Sequence, residues 1–281
     1  MLALSNIQHL RTFTLIIGYL AAAFMGLVLG VIGGGGSILT VPILVYLMGV
    51  NAETATGYSL LIVGATAAFG TIRYFRQGLV DLRSSLIFAI PSIISVYFSR
   101  AVLMPAIPST FDILGLTLNK SFTIMVLFAL LMLAAASMML IKAHPSNISE
   151  LKNDQKSEKE LNLPLVIIDG AVVGLLTGIL GAGGGFLIIP ALVLIMKMPM
   201  KEAVGSSLFI IALKSLIGFS GDLRAGIELD IYLLTFTLLA TFVGMASSKF
   251  LTGKIENHTL QRLFAYFTFI IAFVIVTKEI L

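Results

Sequence analysis

Gly33-Gly34-Gly35-Gly36-Ser37 lies between two apolar runs, 14–32 and 38–50, and a second row, Gly181-Ala182-Gly183-Gly184-Gly185, interrupts the later apolar sequence. A row of glycine in hydrocarbon gives up helical hydrogen bonds and bares peptide groups that are costly to bury unsatisfied. Such backbone persists only where it lines a cavity or a ligand. The two rows therefore predict a membrane-embedded binding site made largely of backbone.

The setting is a membrane because 58% of the 281 residues are hydrophobic and only 11% are charged, whereas soluble domains carry about 25% charged residues. The net charge of +4 does not point to nucleic acid: the basic residues stand at the ends of apolar segments and form no stripe. With no cysteine, disulfides, thiolate metal sites and cysteine catalysis are excluded, and His9, His144 and His258 have no metal-binding spacing. No cofactor is expected. The start of the chain lacks the cationic region and small-residue cleavage site of a signal peptide, so the first apolar run is expected to remain as a span.

Apolar segments run over 12–32, 37–50, 54–72, 84–103 and 121–141, then 164–180, 185–198, 203–220, 229–250 and 259–277. A full span needs about 20 apolar residues, so the second segment of each set is short, and a re-entrant hairpin with a glycine tip competes with a full crossing. The polar stretch 144–162 reads as a cytoplasmic linker between an N-terminal repeat (1–143) and a C-terminal repeat (163–281). Shifting the sequence by 148 positions superposes Gly26 on Gly174, Gly30 on Gly178, Gly33 on Gly181, Pro42 on Pro190, Gly57 on Gly205, Ser59 on Ser207, Arg76 on Arg224 and Gly78 on Gly226. Placing Arg73, Arg76, Arg83, Lys142, Lys249 and their like inside, and Arg11, Lys120, Arg224 and Lys278 outside, satisfies the positive-inside bias. Both termini then lie outside. Each half crosses an odd number of times, so the expected fold is an all-α polytopic membrane protein of two inverted-topology repeats of five hydrophobic segments. That is the ground plan of many secondary transporters.

The glycine rows lead the candidate site. A helix starting after such a row presents free N–H groups and a positive dipole end, so Gly33, Gly34, Gly35, Gly36 and Ser37, with Gly181, Ala182, Gly183, Gly184 and Gly185, are candidates to hold an anion. The competing reading is close helix packing, which Gly26/Gly30 and Gly174/Gly178 suit as small-xxx-small pairs. Ser59 and Ser207 offer hydroxyls, unless they bond back to their own helix. Lys214, deep in an apolar segment, could neutralise the anion or exchange a proton, or it could snorkel to the membrane face. Pro42 and Pro190 read as kinks and candidate hinges. Asp169 reads as an interfacial cap, and Arg76 and Arg224 as headgroup anchors or anion guides.

Gly-Val-Ile-Gly-Gly-Gly-Gly-Ser-Ile-Leu-Thr-Val-Pro-Ile-Leu (30–44), its echo Gly-Ile-Leu-Gly-Ala-Gly-Gly-Gly-Phe-Leu-Ile-Ile-Pro-Ala-Leu (178–192) and Arg-Gln-Gly-Leu-Val-Asp-Leu-Arg (76–83) resemble the TauE/SafE sulfite exporters, also called toluene-sulfonate uptake permeases. The resemblance extends over nearly the whole chain. It implies a multi-pass carrier of the bacterial or archaeal inner membrane for sulfite, sulfoacetate or another organosulfonate, coupled to a proton or another cation. An anion channel of the same fold and a carrier of small carboxylates are the alternatives; an enzyme is not expected, since no nucleophile–base pair or metal cluster falls within the spans. The expected partners are the small anion, its coupling ion and the lipid bilayer, and the assembly state, a homodimer included, is left open.

Overall fold

The computed structural model describes residues 2–113, 116–142, 163–181, 183–194, 196, 198–251 and 257–280. The linker 144–162 and Ala182 lie outside them. The first half contains α1 (Leu2–Ile32), α2 (Gly34–Leu47), α3 (Ala52–Arg76), α4 (Leu82–Ala106), the strands β1 (Thr110–Ile113) and β2 (Leu116–Asn119), and α5 (Lys120–Lys142). The second contains α6 (Leu163–Leu180), α7 (Gly185–Leu194), α8 (Met200–Arg224), α9 (Ile231–Ser247) and α10 (Asn257–Ile280).

All ten expected segments are helices. Among the described residues six are long and apolar enough to cross a membrane: Phe13–Ile32 within α1, then α3, α4, α6, α8, and Ile231–Phe250 at α9. The short second segments are not. α2 is a patchwork of six residues of 3₁₀, three of α and five of π geometry, which spans about 20–25 Å, and the ten residues of α7 span about 15 Å. Neither alone covers a hydrocarbon core of about 30 Å. The antiparallel β1–β2 hairpin, between the fourth and fifth segments, departs from the helices-only expectation.

α3 and α8 form the buried centre and run antiparallel, with Gly57 beside Asp222, Gly64 beside Leu216, Gly70 beside Leu208 and Gly205 beside Tyr74. Around them each half's first helix packs on the other half's fourth. A side chain on Gly26 would strike the backbone of Thr241, and one on Gly174 the backbone of Ser92; Gly30 faces Met245 and Ser248, and Gly178 faces Val96 and Ser99. The upstream glycines therefore serve close packing, as the small-xxx-small reading has it. The fifth helices, α5 and α10, pack on each other.

These contacts recur in exchanged pairs, at an offset of 148 before the loop after the third helix and 149 beyond it. The extra residue is visible: Arg76-x-Gly78-x-x-Asp81 becomes Arg224-x-Gly226-x-x-x-Asp230. Both loops turn on a glycine with positive φ, 68° at Gly78 and 80° at Gly226. Both end on an aspartate cap, Asp81 accepting from Ser84 N (3.1 Å) and Asp230 from Leu233 N (3.0 Å). Each loop is also tied to the opposite half, Asp81 N donating to Ser206 Oγ (3.0 Å) and Asp230 N to Tyr58 Oη (2.6 Å).

Candidate functional site

The two glycine breaks meet. Gly34 and Gly185, which open α2 and α7, lie backbone against backbone, so that a side-chain carbon on either would fall on the Cα of the other. Each break also rests on the other half's third helix: Gly33 against Val204 and Ser207, Gly181 against the backbone of Thr56. Gly33, Gly181, Gly183 and Gly184 have φ of 77°, 66°, 64° and 70°, a left-handed conformation that costs other residues about 1–2 kcal/mol. Glycine is thus required here both for backbone angle and for clearance.

Lys214 joins the second break. It is near the middle of α8 and 0% exposed. Its Nζ donates to Thr177 Oγ1 on α6 at 2.9 Å and stands 2.5 Å from where a Cβ on Gly184 would be. The side chain does not snorkel. No carboxylate pairs with it among the described residues, where Asp222 is paired with Arg100 and Glu53 with Lys120. An ammonium offers three donors, and Thr177 takes one.

The remaining candidates divide. Ser207 Oγ donates to Val204 O (2.8 Å) and accepts a long bond from Gly34 N (3.4 Å), so it both bonds back to its helix and braces the first break. Ser59 is fully buried and its Oγ has no partner. Ser37 Oγ donates to Gly34 O (2.7 Å), and its Cβ packs with Val63 against the side of Gly183 where a side chain would stand. Gly35 and Gly36 are buried in the 3₁₀ turn, Gly36 against the backbone of Leu29. Pro42 precedes the π stretch of α2 and Pro190 lies inside α7. Asp169 is not at a helix end: it lies within α6, half-buried, with Oδ2 unpartnered. Arg76 and Arg224 are exposed at the ends of α3 and α8.

Thr177 and the Arg100–Asp222 pair were not among the candidates read from sequence. Thr177 carries no signal of its own in an apolar run. Arg100 does, as a charge inside the fourth segment whose depth matches an acid at the end of the eighth helix. The chain matches the family described as sulfite exporter TauE/SafE over residues 18–275.

The chain belongs to the TauE/SafE family.

Its relatives agree with this. It is 30% identical to the probable membrane transporter protein YunE of Bacillus subtilis over 84% of this chain and 89% of that protein. It is 31% identical to a probable membrane transporter protein of Xylella fastidiosa over 73% and 72%, and 27% identical to one of Methanocaldococcus jannaschii over 85% of each. No solved structure matches it. The chain is therefore a TauE/SafE membrane transporter, with its glycine breaks placed at the contact between its halves.

Proposed function

We propose that this chain is a secondary transporter of a small sulfur-containing anion, sulfite, sulfoacetate or another organosulfonate, which it moves through the inner membrane by alternating access with a coupling proton or cation. The halves are inverted repeats, the termini face outward and the linker is cytoplasmic.

One observation carries the anion reading: Lys214 is wholly buried, unpaired with any described carboxylate, and aimed at the second glycine break. A buried ammonium without a counter-ion is costly, and an anion supplies what the protein withholds. The start of α7 adds unpaired N–H groups and the positive end of a helix dipole. Because Gly34 and Gly185 touch, the anion is seated beside that contact, on Lys214, Thr177 and the first turn of α7, rather than between the two tips. Ser59, Ser37 and the first break complete the surroundings, and a rocking of the halves about the glycine contact, hinged at Pro42 and Pro190, exposes the anion alternately.

Proteoliposome uptake of radiolabelled sulfite, sulfoacetate, taurine and acetate tests this. Saturable flux of a sulfur oxyanion, abolished by Lys214→Met in folded protein, is expected. Flux of none of them, or flux untouched by Lys214→Met, refutes it.

A further inference from the structure

α4 carries a second buried cation, apart from the glycine breaks. Arg100 is 1% exposed. Its Nε donates to Asp222 Oδ2 at 2.9 Å and its Nη1 to Thr56 Oγ1 at 3.0 Å, while the equally buried Nη2 has no partner. Buried polar groups are ordinarily satisfied, and a guanidinium is a planar fork built to hold two oxygens at once. Asp222 gives it one. Arg100 lines the floor of a cavity of about 280 Å³ whose walls include Glu53, Met104, Asp222 and Glu228. Gly57 keeps the wall beside the free nitrogen thin: a Cβ there would stand 3.2 Å from both Nη2 and Asp222 Oδ2.

The geometry points to Arg100 as a second anion-binding group, at which a small oxyanion arriving in this cavity replaces Asp222 on the guanidinium. Exchange rather than addition follows from the charges that face the cavity. Glu53 of α3 is held by Lys120 Nζ of α5 at 2.6 Å, Asp222 of α8 by Arg100 of α4, and Glu228 is exposed at the rim. With both pairs closed the cavity is net negative and repels anions. As Asp222 leaves, the guanidinium becomes available, and the released carboxylate, which itself lines the cavity, turns into cavity water. An anion with two or more oxygens spans the Nε–Nη2 edge that Asp222 leaves, while Nη1 stays on Thr56; a halide does not.

Thr56 connects this group to the central one. Its hydroxyl accepts from Arg100 and its backbone supports Gly181, at the foot of the break that faces Lys214. Thr56 thus touches both the group at the cavity and the break beside Lys214.

The full chain in nanodiscs, carrying Lys214→Met so that the central site is silent, is titrated with selenate and with chloride by calorimetry. Asp222→Asn removes the internal competitor, and selenate is then expected to bind at least ten-fold more tightly and to raise the unfolding midpoint, with chloride doing neither. Adding Arg100→Gln abolishes the gain. If the pair is only a staple between helices, Asp222→Asn lowers the midpoint without any gain in selenate affinity, and the inference falls. Should that variant not fold, wild-type crystals soaked in selenate decide by anomalous scattering: selenium in hydrogen-bond reach of Arg100 supports the exchange, and its absence there overturns it. Because the titration omits Lys214, failure of the central site leaves its outcome unchanged.

Discussion

Gly185→Ala is the sharpest perturbation of the contact between the breaks, because its sign alone discriminates. Gly185 is the first residue of α7, and its φ is not among the positive ones. Were it free, alanine would stabilise the helix by about 0.5–1 kcal/mol. In the structure the added carbon falls on the Cα, carbonyl carbon and oxygen of Gly34. These are backbone atoms, with no rotamer through which to retreat. Overpacking a core costs about 1–3 kcal/mol and occasionally more, and a backbone-on-backbone clash belongs at the upper end, about 3 kcal/mol. At about 2–4 °C per kcal/mol for a chain of this order of size, the apparent unfolding midpoint falls by about 6–12 °C. The chain has no tryptophan and no cysteine, so indole fluorescence and thiol dyes are silent, and the helical circular dichroism of protein in detergent is the appropriate signal. A midpoint that stays or rises shows that the two breaks do not touch.

Lys214→Met, which replaces a buried charge by an apolar chain of similar length, is expected to raise the midpoint by about 2 °C or more while erasing any anion-induced stabilisation; a lowered midpoint means that the ammonium has a native counter-charge. Asp81→Ala and Asp230→Ala each remove a cap bond at corresponding loops and cost about 1 kcal/mol, with the larger midpoint drop at Asp81, which also accepts from Ser84 Oγ at 2.6 Å. A drop near zero at either position shows that its aspartate does not cap the helix. Gly174→Leu and Gly26→Leu, whose side chains meet backbone in exchanged places, both prevent assembly on size-exclusion chromatography; a monodisperse peak from either refutes close packing there.

Much of the architecture is legible in the sequence because hydrocarbon leaves so few options. Apolar length sets the helices, and the repeated Gly, Pro and Arg positions set the correspondence between halves. The same physics marks the breaks as special. What escapes is whatever depends on relative placement. That Gly34 and Gly185 would touch cannot be read from two separate glycine rows. Lys214 snorkels or turns inward according to whether a hydroxyl such as Thr177 waits a few ångströms away on another helix. The π stretch Ile43–Leu47 and the β1–β2 hairpin have no distinct pattern in apolar sequence. Asp169 looked like a cap only because a proline and a segment boundary were near. The single inserted residue before Asp230 breaks the 148 register and hides the second half of the repeat, although both aspartates are plain to see.

The clasp between the halves bears on how the protein is made. α1 has its packing surface on α9 and α6 has its surface on α4, so neither half holds a complete set of partners for its own helices. As the chain emerges, α1 must wait in the bilayer, its glycine face Gly26/Gly30 uncovered, until more than two hundred residues later its counterpart arrives. A truncated first half is therefore not a smaller version of the whole but an unfinished surface, and a dependence on insertion factors that shelter such faces is built into the connectivity. Severing the chain between the halves ought to be far milder than losing either one, since two fragments made together can still clasp.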